Sequence, residues 1–147
     1  MGLLSPADQD KLREAFGEMK NAVKIVFVTQ TLGCETCVQT RQIIDELPPL
    51  SDRISIEEVN LVLDADRAKA FGVDRVPALA LVSTDEQGHD RDSRIRFVGA
   101  PAGYEFISLV QAVLLVGGRE GNLTEANRQK VAAIDQATTI QVFTTPT

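Results

Sequence analysis

The chain has 147 residues, 44% of them hydrophobic, and carries 15 lysines and arginines against 21 aspartates and glutamates, a formal net charge of -6. This is enough chain for one globular core with a small appendage. The acidic balance, with no basic run and no tryptophan, excludes a surface built to grip a nucleic-acid backbone.

The opening MGLLSPADQDKLREAF lacks the basic start and continuous apolar stretch of a secretory signal, and Pro6 spoils a myristoylation motif. Ser5-Pro6-Ala7-Asp8 instead starts a helix: a hydroxyl cap, a proline at the first helical position and an acid facing the dipole. Leu12, Phe16 and Met19 keep helical spacing and carry that helix to about Lys20. The β-branched run Val23–Thr29 predicts a buried strand. From Cys34 a helical pattern runs through Leu47, with Val38, Ile43, Ile44 and Leu47 as its apolar side and Pro48-Pro49 as its stop.

Ile54–Leu61 alternates as a second strand, and Asp64–Gly72 forms a short helix closed by Gly72. Val76–Ser83 and Arg94–Gly99 make a hairpin around the polar tip TDEQGHDRDS. A helix follows with Phe106, Leu109, Val110, Val113 and Leu114 on one face, widened by Ile107, Leu115 and Val116. A last helix starts at Asn122, with Glu125 as its capping-box partner, and reaches about Gln136. The chain then closes on the strand-like TIQVFTTPT. No apolar run approaches the roughly 20 residues of a membrane span, so the expectation is a cytoplasmic protein without membrane or nucleic-acid partners.

Strand and helix alternate as far as Gly72, which implies a parallel βαβ unit, and the hairpin adds antiparallel strands. The expected fold class is α/β: a thioredoxin-like central mixed sheet flanked by helices, with an extra N-terminal helix.

Both cysteines, Cys34 and Cys37, lie in TQTLGCETCVQTR at a CxxC spacing. A cysteine at the mouth of a helix meets unpaired N–H groups and the positive dipole end, which favour its thiolate. Cys34 is thus the expected attacking residue. Cys37, one turn further in, is the expected resolving residue. Glu35 and Thr36 between them modulate the pair, and the Glu35 carboxylate opposes thiolate formation. Val76-Pro77 falls about forty residues downstream, at the start of a strand. In a thioredoxin-like fold this is a cis proline facing the cysteines, leaving the Val76 backbone free to pair with an extended substrate.

Other readings stand beside this one. A zinc half-site would need four ligands, and only His89, on the polar hairpin tip, offers a further soft donor. A purely structural disulfide would close so short a loop that it removes little chain entropy. Arg41 is placed to pair with Asp45 at i+4.

Five segments together carry a resemblance: MGLLSPADQDKLREAF, the CxxC after VKIVFVTQTLG, FGVDRVPA, RFVGAPAGYEF and IQVFTTPT. The chain resembles the protein disulfide oxidoreductases, or glutaredoxin-like proteins, of thermophilic bacteria and archaea, and the N-terminal domain of the alkyl hydroperoxide reductase flavoprotein is similar in plan. The resemblance implies dithiol exchange with protein disulfides through Cys34 and Cys37, with Val76 and Pro77 binding substrate and no metal or organic cofactor. Implied partners are protein disulfide substrates and a thioredoxin reductase-like flavoprotein or a peroxiredoxin.

Members of that family carry two tandem units, and VFVTQT and VFTTPT share four of six positions. Residues 1–118 are therefore expected to form the first unit, and residues 119–147 a connecting helix and the first strand of a second. The wide apolar face at Ile107–Val116 is expected to promote self-association. Val28 stands where thioredoxins keep a buried acid, and the segment with which glutaredoxins hold glutathione has no counterpart. The alternative implied reading is a catalytically weak unit that positions substrate or reductase for a second site beyond the chain end.

Overall fold

A computed structural model describes residues 2–145. Helix α1 (Pro6–Gly17) begins at the expected cap, where the Ser5 hydroxyl oxygen accepts from the Asp8 N–H at 3.2 Å. It ends short of Lys20 because the N–H groups of Lys20 and Asn21 both donate to the Gly117 carbonyl, at 2.8 and 3.0 Å. Those two bonds turn the chain into strand β1 (Ala22–Thr29), while Met19 drops into the core.

The sheet has the order β2-β1-β3-β4, with β2 at Ile54–Asn60, β3 at Ala78–Thr84 and β4 at Asp90–Val98. β1 pairs parallel with β2, and the remaining pairs are antiparallel. α1, α2 (Glu35–Ile44) and α4 (Tyr104–Val116) cover one face, over a core that includes Phe16, Ile25, Phe27, Ile44, Leu79 and Leu109. α3 (Ala65–Ala70), followed by Phe71 and Val73, covers Val26, Val28, Val59 and Val82 on the other. Burial on both faces is why β1 reads as an apolar run from Ile25 to Val28, with Lys24 set at its partly exposed start. Each of the larger core side chains contributes about 1.5–3 kcal/mol by leaving water.

Several boundaries differ from the sequence reading, each for a local reason. α2 stops at Ile44, and a 3₁₀ turn (Pro48–Leu50) takes over, since Pro49 lacks the N–H that a continuing helix needs. Its buried side is Cys37, Thr40, Ile43 and Ile44, so Val38 lies about 100° round the helix from Cys37 and is 66% exposed rather than core. β4 begins at Asp90 instead of Arg94, because Thr84 pairs with Asp90, Ser83 with Arg91 and Val82 with Asp92. A register shift beyond Val82 accompanies the positive φ of Arg94, 65°.

Most of the wide apolar face of α4 is used by this unit's own sheet: Leu109, Val110, Ala112, Val113 and Leu114 are buried, leaving Ile107 and Leu115 exposed. The last helix, α5 (Glu125–Ala132), is capped by Thr124, whose hydroxyl accepts from the Asn127 N–H, and not by Asn122. The described part of the expected final strand, residues 139–145, is exposed and forms no strand, for no neighbouring strand pairs with it among the described residues. Pro146 and Thr147 of that segment lie outside the described residues. Among the described residues, no helix is long and apolar enough to cross a membrane.

Candidate functional site

β1 delivers the chain to a tight loop at its C-terminal end, and the loop delivers it to the start of α2. Gly33 takes a φ of 74°, which a side chain would resist, and the Gln30 amide donates to the Leu32 carbonyl at 2.8 Å across the loop. Cys34 is then the N-cap of α2 with no side-chain capping bond, and Glu35 and Thr36 are exposed in the first turn. Cys34 and Cys37 are joined by a disulfide, with their Cα atoms 5.4 Å apart. Cys37 is 5% exposed and belongs to the core cluster of Phe27 and Leu79, whereas Cys34 is half-buried and packs on its edge. Beneath them the buried Thr40 hydroxyl donates to the Thr36 carbonyl at 2.8 Å, so the helix interior holds no unpaired polar group there.

The Val76–Pro77 peptide bond is cis. Pro77 is buried and its carbonyl accepts from the Gly99 N–H at 2.9 Å. Val76 packs against the same core cluster as Cys34, and its own backbone groups have no backbone partner among the described residues. The fold therefore gathers the four residues singled out for exchange, Cys34, Cys37, Val76 and Pro77, around one end of the sheet. It does not bring His89 there. His89 sits in the loop between β3 and β4, beyond the Ala22–Thr84 pair at the opposite end of β1, with its Nδ1 3.3 Å from the Asp85 carboxylate.

A cleft of about 370 Å³ opens beside the cysteines, walled by Gln30, Val38, Arg41, Glu58 and Asn60. The Arg41 guanidinium donates to Asp45 through Nε at 2.8 and 3.0 Å, the i+4 pair expected from sequence, and to Glu58 through Nη1 at 2.6 Å. The hydrogen bond to Asp45 is the main cause of its pKa being raised, with the charges of Asp45 and Glu58 adding to it. Glu58 and Asn60 had no local signal in the sequence. They reach the cleft through the parallel register that sets Glu58 beside Phe27 and Asn60 beside Thr29.

No family model matches this chain. It is 30% identical over 90 residues to a probable thioredoxin of Methanothermobacter marburgensis, covering 60% of this chain and 92% of that one. It is 36% identical over 77 residues to an NADH dehydrogenase of Bacillus subtilis, covering 52% of this chain and 12% of that protein, so the chain spans about an eighth of that relative's length.

Among solved structures, a domain of alkyl hydroperoxide reductase AhpF from Enterococcus faecalis superposes with a TM-score of 0.77 at 20% identity, over 90% of this chain and 62% of that one. A protein disulfide oxidoreductase from Aeropyrum pernix superposes with a TM-score of 0.70 at 25% identity, over 88% and 54% respectively.

Proposed function

The chain belongs to the thioredoxin family, and on that premise we propose that it is a thiol–disulfide oxidoreductase acting on protein disulfides through Cys34 and Cys37. The observation that carries this reading is the pairing of a half-exposed cysteine at a helix start with a buried one a turn inside. In the reduced protein the Cys34 thiolate attacks one sulfur of a substrate disulfide. The substrate's other cysteine leaves as a thiolate and takes a proton from water. Cys37 then gives up its proton and attacks the Cys34 sulfur, and the second substrate thiolate departs. The substrate gains two electrons and the protein ends in the disulfide seen here.

Val76 and Pro77 serve substrate binding: the unpaired Val76 backbone beside the cysteines suits an extended segment added edge-on. Exposed apolar side chains at this end of the sheet, Leu32, Val38, Val62 and Leu63, suit a protein rather than a small polar substrate. The likeness to alkyl hydroperoxide reductase supports a flavoprotein reductase or a peroxiredoxin as the redox partner. An alternative is that the pair exchanges slowly and the unit positions substrate or reductase for a second site outside this chain, which fits its covering 62% of the Enterococcus domain.

The test is insulin reduction by the pre-reduced chain, freed of dithiol, with Cys34→Ser as the blank. A rate well above that of a simple dithiol, lost in the variant, is expected. A rate no better than the dithiol's would favour the positioning role.

A further inference from the structure

The cleft wall itself holds one acid and one base, Glu58 and Arg41, and the charge just outside it leans acidic. Arg41 is its only basic wall residue, and that guanidinium is already engaged by two carboxylates, Asp45 and Glu58. Glu35 stands beside Cys34 in the exposed first turn of α2, with no ion-pair partner among the described residues. Asp64 lies one hydrogen bond beyond the cleft wall, accepting from the Asn60 N–H at 2.9 Å and likewise meeting no cation. Near Val76, the other rim carries the Asp74–Arg75 pair, 3.0 Å apart and neutral as a unit. Asp45 caps the far end of α2, so at the end of the sheet where the cysteines exchange three carboxylates, Glu35, Glu58 and Asp64, stand against the one guanidinium of Arg41.

From this we infer that the cleft selects disulfides whose cysteines are flanked by lysine or arginine. The inference rests on the exchange reading above and names the substrate class of that same site. The cysteines make the site, and the carboxylates bias what approaches it. A substrate thiol leaving beside basic residues is also the better leaving group, for its thiolate is stabilised by them. Cationic segments gain attraction over several ångströms before contact, which acts on association rate and fades as salt screens it. Acidic flanks meet repulsion from Glu35 and Glu58 at the point of attack.

The experiment uses disulfide-bonded peptides identical except for the residues flanking the cysteines, which are lysine, glutamine or glutamate. Each is reduced by the pre-reduced full chain, and each rate is divided by that peptide's rate with a small dithiol, which removes its intrinsic reactivity. The lysine peptide is expected to exceed the glutamate peptide by about tenfold at low ionic strength, shrinking toward unity at high salt. Glu35→Gln and Glu58→Gln are each expected to cut that ratio by about two- to threefold, and Glu58→Asp to retain it. Because the readout is a ratio, any general change in cysteine reactivity cancels. Equal normalised rates for lysine and glutamate peptides would overturn the selectivity while leaving the exchange activity intact. A ratio indifferent to salt and to both substitutions would do the same. Failure of every peptide to outpace the dithiol would overturn both readings.

Discussion

Arg41 of α2 donates to Glu58 of β2 at 2.6 Å, tying the helix that carries the cysteines to an edge strand. On the opposite face of that strand Arg67 of α3 donates to Glu57 through two bonds of 3.0 Å. Edge strand β2 is therefore held from both sides by adjacent residues. Both sides of the Arg41 pair are open to solvent, so Arg41→Ala should cost only about 0.5–1 kcal/mol, read as a small drop in the urea midpoint. A loss above about 3 kcal/mol would mean that the pair is part of a buried network and not a surface tether.

Glu57 is the less exposed of the two acids, and its pKa is lowered chiefly by the hydrogen bond from Arg67. A carboxylate whose folded pKa is depressed contributes stability above its unfolded pKa, and that contribution disappears as pH falls through the folded value. Stability owed to Glu57 should thus be intact at neutral pH and decline below about 4.5, the ordinary glutamate value. Chemical denaturation followed against pH should show a shallower acid decline in Glu57→Gln than in the parent. Identical slopes would remove Glu57 from the acid response.

Gly117 packs so closely on Met19 that an added Cβ would lie 2.5 Å from its sulfur and 3.1 Å from its Cβ. The backbone there has an ordinary φ of -71°, so the constraint is space and not conformation. Gly117→Ala should cost about 1–3 kcal/mol through overpacking, since Met19 is itself buried. Adding Met19→Ala should make the two losses less than additive, because the second substitution removes the clash. Strict additivity in thermal unfolding would refute this contact as the cause.

In the reduced protein the Glu35 carboxylate should hold the Cys34 thiol back from ionising. Glu35→Gln is expected to lower the Cys34 pKa, followed by thiolate absorbance during titration. An unchanged titration would show that the exposed carboxylate is fully screened.

Much of this architecture could be read from residue order because the centres of β1 and β3, from Ile25 to Val28 and from Ala78 to Val82, are buried on both faces and so are apolar without a break. The Ser5 cap and the Arg41–Asp45 pair were legible because both act within a single helix turn or two. What escaped depends on distant partners. The end of α1 is decided by the Gly117 carbonyl, and the polar residues Asp90–Ser93 join a strand only because β3 lies beside them. Val38 is apolar yet faces the cleft, because burial on α2 follows Cys37, Thr40 and Ile44. Within the site, the CxxC pair was conspicuous. Glu58 was not, as nothing but the β1–β2 register brings it to the cysteines.

Both cysteines lie at one end of one helix, within a single turn, and no second element is stitched by their bond. Opening or closing it frees or fixes a loop too short to alter the balance of the whole chain. The oxidised and reduced molecules should then share the same outline, core and surface everywhere except at the mouth of α2. A partner cannot learn the protein's redox state from its shape at a distance. It has to come to the cleft and read two sulfur atoms by touch.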